Sequence, residues 1–348
     1  MLIVENISLM VEDFSLNNIN LSIEKGDYFV LLGLSGVGKS LLLETIAGLR
    51  TPSEGNIFLR GKLLNSIPIQ NRQISIVYQD LVLFPHLNVY ENIAYPLKAM
   101  HAGDIEEKVI AAATQTGIAD KMERMPASLS GGEAQRAALA RSIAAGSDIF
   151  LLDEPLSSID LKSKNELRIL LRNLNRSGIT IVHVTHDYEE AISLATKIGI
   201  MENGKLVHVD TTEEIFEHPK SEFVAHFIGI KNFLRGRITK QTDSDLKIFV
   251  SEKIEIFCLS ELDEGNVFLM IDPKEISISN TVLEGSIRNH FKGRIKDIAP
   301  ARLGLVVTVD IGVDFAVHVS KDAFYSLGMN VGKDVWINFK ASSCKVYN

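Results

Sequence analysis

Apolar residues follow two rhythms along this 348-residue chain. Up to about residue 230, short runs that are apolar at successive positions alternate with longer stretches of helical period. That is the pattern of strands buried on both faces with helices packed over them. Tyr28 to Leu32, Ile149 to Leu152, Ile179 to Val184 and Ile198 to Met201 are runs of this kind, punctuated by Gly, Asp or Thr. Lys39 to Ala47 predicts a helix closed by Gly48, and Asp104 with Glu107 has capping-box spacing at the head of a helix running through Ala113. From residue 231 the rhythm becomes short β-branched alternations such as Leu305 to Val309 and Phe315 to Val319, which predict an all-β region. Within it Leu234-Arg-Gly-Arg-Ile238 returns as Phe291-Lys-Gly-Arg-Ile295, so two related small barrels are expected. The division is therefore an α/β domain over 1–230 and a β domain over 231–348.

Charge narrows the partners. The chain carries 36 basic and 44 acidic residues, a net charge of -8, and the tail holds 16 and 15 of them. The acidic excess thus belongs to the first domain, and neither part has the positive excess that nucleic-acid binding draws on. Cys258 and Cys344 lie far apart in the sequence and outside any metal-ligand spacing, as expected of a reduced, cytoplasmic chain. The first residues lack a basic leader with a long apolar core, and no apolar run approaches the ~18 residues that span a bilayer. Any membrane connection then runs through a partner.

Gly33-Leu-Ser35-Gly36-Val-Gly38-Lys39-Ser40 matches the phosphate-binding pattern G-x-x-x-x-G-K-[ST] between a predicted strand and a predicted helix. The glycines allow backbone N–H groups to converge on phosphate oxygens, and the helix N-terminus adds partial positive charge. Lys39 is placed to reach the β- and γ-phosphates of ATP and the Ser40 hydroxyl to ligate Mg2+. The run from Ile149 delivers Asp153 and Glu154 at a strand end, where ligands gather in open α/β sheets. Asp153 suits magnesium, and Glu154 suits orienting or deprotonating the attacking water. Leu129-Ser130-Gly131-Gly132-Glu133 has two compatible readings. Ser130 and Glu133 form an S-x-x-E capping box, while the two glycines imply close backbone approach, which the γ-phosphate of a nucleotide on a second subunit would supply.

With these motifs in this order, followed by Thr185-His186-Asp187, the first 230 residues resemble the nucleotide-binding subunits of ABC transporters. The resemblance implies that Gln79 is the glutamine that contacts magnesium and senses the permease. His186 would be the switch histidine at the γ-phosphate, and Ser157-Ser158-Ile159-Asp160 the loop that crosses to the opposite subunit. Phe14 falls where the family stacks an aromatic ring on adenine, although an aromatic in a β-ribbon also packs simply as core. Leu34 and Leu41 depart from residues common in the family, and neither removes a phosphate or metal contact.

Leu83-Phe-Pro-His-Leu-Asn-Val-Tyr-Glu-Asn-Ile93 followed by a β tail resembles prokaryotic importers. More narrowly, Ser286-Ile-Arg288-Asn289-His-Phe-Lys-Gly293 is similar to the S-x-R-N-x-x-x-G segment of molbindin-like domains, and Lys340-Ala-Ser342-Ser343 to their second anion-contacting segment. The expected fold is thus an α/β P-loop ABC ATPase followed by an all-β, OB-like (molbindin/TOBE-type) barrel. The family implied is the ATPase of a molybdate or tungstate importer. Its partners would be a second copy of the chain, membrane permease subunits and, indirectly, an extracytoplasmic oxyanion-binding protein. Its place would be peripheral, at the cytoplasmic face of the membrane. A barrel that keeps the fold and binds no anion is the structural alternative for the tail, and a sulfate, sugar or iron importer is the functional one.

Overall fold

The computed structural model describes residues 1–80, 83–157, 159–240, 245–283, 285–301 and 303–347. Two compact units divide the chain, Met1–Ile215 and Phe216–Asn348.

The first unit begins with β1 (Leu2–Val11), β2 (Phe14–Ile23) and β3 (Tyr28–Leu32), then α1 (Lys39–Ala47). Next come β4 (Glu54–Leu59), β5 (Lys62–Leu63), β6 (Ile74–Val77), α2 (Val89–Ala99), α3 (Ile105–Thr116) and α4 (Gly131–Ala144). β7 (Ile149–Asp153), α5 (Leu161–Arg176), β8 (Thr180–Thr185), α6 (Tyr188–Leu194), β9 (Lys197–Glu202), β10 (Lys205–Thr211) and α7 (Thr212–Glu217) complete the series. An antiparallel sheet runs β2-β1-β4-β5, and a larger one runs β10-β9-β3-β8-β7-β6. All neighbours in the larger sheet are parallel except β10 on β9. Every residue of β3, β7 and β8 is buried, which is why these strands read as unbroken apolar runs. Ile7 and Ile19 of the smaller sheet join Phe29, Leu151 and Val182 of the larger one, with Leu43 and Ile46 of α1, in one core.

The helix expected over Lys39 to Ala47 ends as predicted, with Gly48 at φ 92° and its N–H on the carbonyls of Glu44 and Thr45. The start of α3 requires a correction. Asp104 adopts a left-handed backbone, φ 54°, and its side chain makes no cap bond, so no capping box forms with Glu107. An N-cap needs an extended backbone to aim its oxygen at the first turn, and Asp104 does not have one.

In the second unit α8 (Glu222–Phe227) precedes β11 (Asn232–Lys240), β12 (Lys247–Val250), β13 (Glu255–Cys258), β14 (Gly265–Ile271) and β15 (Ser277–Ser279). β16 (Asn289–Pro300), β17 (Leu305–Asp310), β18 (Asp314–Val319), α9 (Lys321–Ser326), β19 (Asp334–Phe339) and β20 (Cys344–Tyr347) follow. The two five-stranded sheets run β13-β12-β11-β14-β20 and β15-β19-β16-β17-β18. The repeat is therefore real: β11 to β14 and β16 to β19 pair in the same antiparallel order. The fifth strands are exchanged, since β15 joins β19 and β20 joins β14.

Equivalent asparagines lock the two halves together. Asn232 at the head of β11 accepts from Ala316 N (2.7 Å) and donates to Ala316 O (2.8 Å) in β18. Asn289 at the head of β16 accepts from Phe257 N (2.8 Å) and donates to Phe257 O (2.9 Å) in β13. One core contains both sheets, among them Ile238, Phe249, Ile295 and Phe315. Cys258 and Cys344, distant in sequence, both lie in it. Burial pushes their thiols up to about 11 and about 12, the latter also raised by Cys258, so neither is poised for redox chemistry.

Candidate functional site

The strand order assembles the first site. β3, β8, β7 and β6 are consecutive parallel neighbours, so the segments that follow them emerge at one edge of the sheet. Those segments carry Gly33 to Ser40, His186, Asp153 with Glu154, and Gln79 respectively.

Lys39 is buried and donates to the carbonyls of Gly33 (2.8 Å) and Leu34 (2.7 Å). Burial lowers its pKa, while the nearby carboxylates of Glu154 and Asp153 oppose the shift. Gly36 and Gly38 hold φ of 81° and 99°, as the curl of the loop demands. A Cβ on Gly38 would stand 2.6 Å from Cε1 of Phe14, so the Phe14 ring packs against the loop and joins the core. Ser35 and Ser40 are exposed at the mouth.

Asp153 is buried at the end of β7 and hydrogen-bonds to Ser40; burial raises its pKa, and that bond pulls it back. Glu154, the next residue, has a left-handed backbone, φ 46°, with its N–H on Val184 O at 2.9 Å. A non-glycine residue there is strained by about 1 to 3 kcal/mol, and such strain clusters at functional sites. The turn carries Glu154 Oε1 to 3.0 Å from His186 Nδ1 across the neighbouring strand. Gln79 is exposed just beyond β6.

The capping box at α4 forms in full: Glu133 N donates to Ser130 Oγ (3.3 Å) and Ser130 N to Glu133 Oε2 (2.8 Å). Gly131 is exposed and Gly132 buried. The close approach at Gly132 has a partner in the same chain, since a Cβ there would meet Ser163 Cβ of α5 at 3.1 Å. Asp160 is exposed and caps α5, accepting from Lys162 N and Ser163 N at 3.0 Å each. Ser158 of the expected crossing loop lies outside the described residues.

In the second unit the two anion segments meet at the end of one ladder. Asn289 pairs with Phe339, so the antiparallel register puts Arg288 opposite Lys340 immediately beyond. Ser286, Arg288, Lys340 and Ser342 are all exposed. Asn289 differs: it is buried and its amide is committed to the Phe257 backbone. Ser343 Oγ donates to Glu275 Oε2 at 3.1 Å, and with Ser342 it lines a cavity of about 540 Å3 shared with Lys231, Lys345 and Asp272.

Residues 16–157 match the ABC transporter family and residues 285–346 the TOBE domain. The molybdate/tungstate import ATP-binding protein WtpC of Pyrococcus horikoshii is 36% identical over 355 residues, covering 100% of both chains. The spermidine/putrescine import ATP-binding protein PotA of Pseudomonas aeruginosa is 37% identical over 303 residues, covering 85% of this chain and 83% of its own. Among solved structures, the dimeric post-hydrolysis state of the ATP-binding cassette MJ0796, bound to ADP and Pi, superposes with a TM-score of 0.56 at 29% identity. It covers 61% of this chain and 98% of that one. The chain belongs to the ATP-binding subunits of ABC transporters. It binds ATP and couples its hydrolysis to import.

Sequence reasoning missed a polar cluster of Tyr28, His183, Glu190 and Lys164 next to the His186 segment, buried except at Lys164. These residues are spread over four elements and share no motif, so no local signal marked them.

Proposed function

We propose that this chain is the ATPase of a molybdate or tungstate importer, working as a homodimer with membrane permease subunits at the cytoplasmic face of the membrane. An extracytoplasmic oxyanion-binding protein would deliver the anion to the permease. What carries this reading is the likeness to the Pyrococcus proteins across the whole chain, both units included. The dimeric cassette structure supports composite sites, each with one P-loop facing the partner's Ser130 region.

In such a site Lys39 and the P-loop N–H groups bind the phosphates, with Ser35 in the curl of the loop and Phe14 beside it for the base. Ser130, Gly131 and Gly132 meet the partner's nucleotide at the head of α4, and Asp160 crosses near it. Glu154 takes the proton of the attacking water, and His186 holds Glu154 and reaches the γ-phosphate. Ser40, Asp153 and Gln79 form an all-oxygen donor set, and the Ser40–Asp153 bond already brings two of them together. Bound there, Mg2+ would neutralise developing phosphate charge.

The ladder ends of the tail support an anion site of defined position. Arg288 opposite Lys340 sets two exposed cations side by side, a repulsion that a dianion between them removes. At the equivalent end of the first repeat, beyond the Asn232–Ile271 pair, the next residues are Lys231 and Asp272, one of each charge. The Ser286 hydroxyl adds a donor beside Arg288, whereas Ser342 and Ser343 line the cavity shared with Lys231 and Asp272, and the Ser343 hydroxyl is given to Glu275. A filled site would brake transport if the anion favours the open dimer, since only differential affinity shifts a population.

The likeness to spermidine/putrescine ATPases favours a second reading, import of a polyamine. Calorimetric titration of the full chain with tungstate, molybdate, sulfate and spermidine separates the two. Heat with tungstate or molybdate that Arg288→Ala abolishes is the expected result. Heat with spermidine alone would favour the polyamine reading.

A further inference from the structure

A buried chain of polar groups lies behind the catalytic pair. Tyr28 Oη, at the start of β3, is 3.0 Å from His183 Nδ1 in β8, and His183 is fully buried. His183 Nε2 stands 3.5 Å from Glu190 Oε2 in α6. Glu190 Oε1 in turn meets Lys164 Nζ of α5 at 2.6 Å. Although burial alone would raise the Glu190 pKa, His183 and Lys164 hold it at about 2, so the carboxylate is charged at any ordinary pH.

This pair grips the chain on both sides of His186. Thr185 Oγ1 donates to Glu190 Oε2 at 2.9 Å and accepts from Asp187 N at 3.0 Å. Lys164 Nζ donates to Asp187 Oδ2 at 3.1 Å. His186 itself is 55% exposed along its side chain, so packing does not fix it; its placement comes from the backbone of Thr185 and Asp187. At its other end Lys164 belongs to the turn capped by Asp160, its N–H on Asp160 O at 2.8 Å, and the adjacent Ser163 packs on Gly132. The first turn of α5 therefore touches the Asp160 loop, the head of α4 and the switch segment together.

We propose that Lys164 and Glu190 are positioning residues for hydrolysis: their ion pair fixes the His186 segment to the first turn of α5 and so holds His186 against Glu154. The inference rests on the reading of His186 and Glu154 as the hydrolytic pair. With Glu190 buried and Lys164 partly so, the pair at 2.6 Å is charge-assisted and geometrically narrow, and a displacement of about 1 Å at a reacting group lowers rates by up to about 100-fold. Loss of the pair should therefore reduce turnover and leave nucleotide affinity intact, because neither residue belongs to the P-loop.

The test is steady-state ATP turnover of the full chain, with active molecules counted by ATP-binding stoichiometry. Lys164→Met and Glu190→Gln should each lower kcat about ten-fold or more and leave KM within about two-fold, and Lys164→Arg should restore most of the loss. In a His186→Ala background, Lys164→Met should cost little more, since it acts through His186. Full turnover per binding-competent molecule in Lys164→Met, or an independent additive loss in the His186→Ala background, overturns the proposal. If His186→Ala alone turns over normally, the reading of His186 fails first. Should Lys164→Met not fold, the isosteric Glu190→Gln carries the same comparison, with the Glu190→Gln/His186→Ala double variant in place of the lysine one.

Discussion

In the first unit Lys39, Asp153, Glu154 and His186 stand at or just beyond the ends of strands buried on both faces, whereas in the second Ser286, Arg288 and Lys340 lie at the exposed end of an antiparallel ladder. The difference shows in how much is already made. Glu154 meets His186, Asp153 meets Ser40 and Lys39 is tucked into its own loop, all from this chain's contacts alone. Around Arg288 and Lys340 the pattern is one of charge placement. The buried strands act as a rigid frame for the proposed phosphate site, and the ladder end places exposed cations at the proposed anion site. The tail repeats its fold but not its charges, because the residues next beyond the Asn232–Ile271 pair are Lys231 and Asp272, and those next beyond the Asn289–Phe339 pair are Arg288 and Lys340.

Glu154→Gln probes the preset frame most severely. It should keep ATP binding and lower turnover by about 100- to 10,000-fold, because the amide retains shape without basicity. Phosphate release with parallel nucleotide-binding measurements checks this, and any anion heat of the tail should be untouched. Turnover near normal would remove Glu154 from the chemistry and with it the contrast between the units.

Acid should weaken the first unit through Glu190. Its carboxyl titrates at about 2 in the folded chain against an ordinary 4.5. The stabilisation is therefore complete above about pH 4.5 and is lost as the pH falls toward 2, about 3 kcal/mol in all. Unfolding monitored from pH 6 to pH 3 should show the loss in wild type and a flatter profile in Glu190→Gln. Identical slopes would mean that other carboxylates govern acid stability.

The smallest effect tests the tail's repeat. Asn232→Ala and Asn289→Ala each leave two backbone groups of a neighbouring strand unpaired and should cost about 1 to 3 kcal/mol, by similar amounts. Denaturant unfolding compares them. A loss confined to one variant would mean that the brackets are equivalent in geometry only.

Much of this was legible along the chain. Burial on both faces wrote β3, β7 and β8 as apolar runs, and the P-loop, the Asp153–Glu154 pair and the capping box at Ser130 are local because each acts within a turn or a strand end. The tail's repeat was visible in five residues because both copies occupy the same ladder position. Asp104 failed for an equally local reason: side-chain spacing implied a cap, but the backbone turned left-handed.

The sequence by itself determined the two folds and the chemistry at the strand ends, since hydrophobic period and motif spacing are properties of neighbours in the chain. Only the tertiary structure decided which ends are adjacent. Strand order in a sheet sets β8 between β3 and β7, brings His186 to Glu154, and closes Lys164 on Glu190 behind them. Ladder register likewise set Asn289 on Phe339 and Asn232 on Ile271, which brings Arg288 and Lys340 to one ladder end and Lys231 and Asp272 to the other. Pairing across tens of residues is settled by packing of the whole core, and no local stretch of sequence contains it.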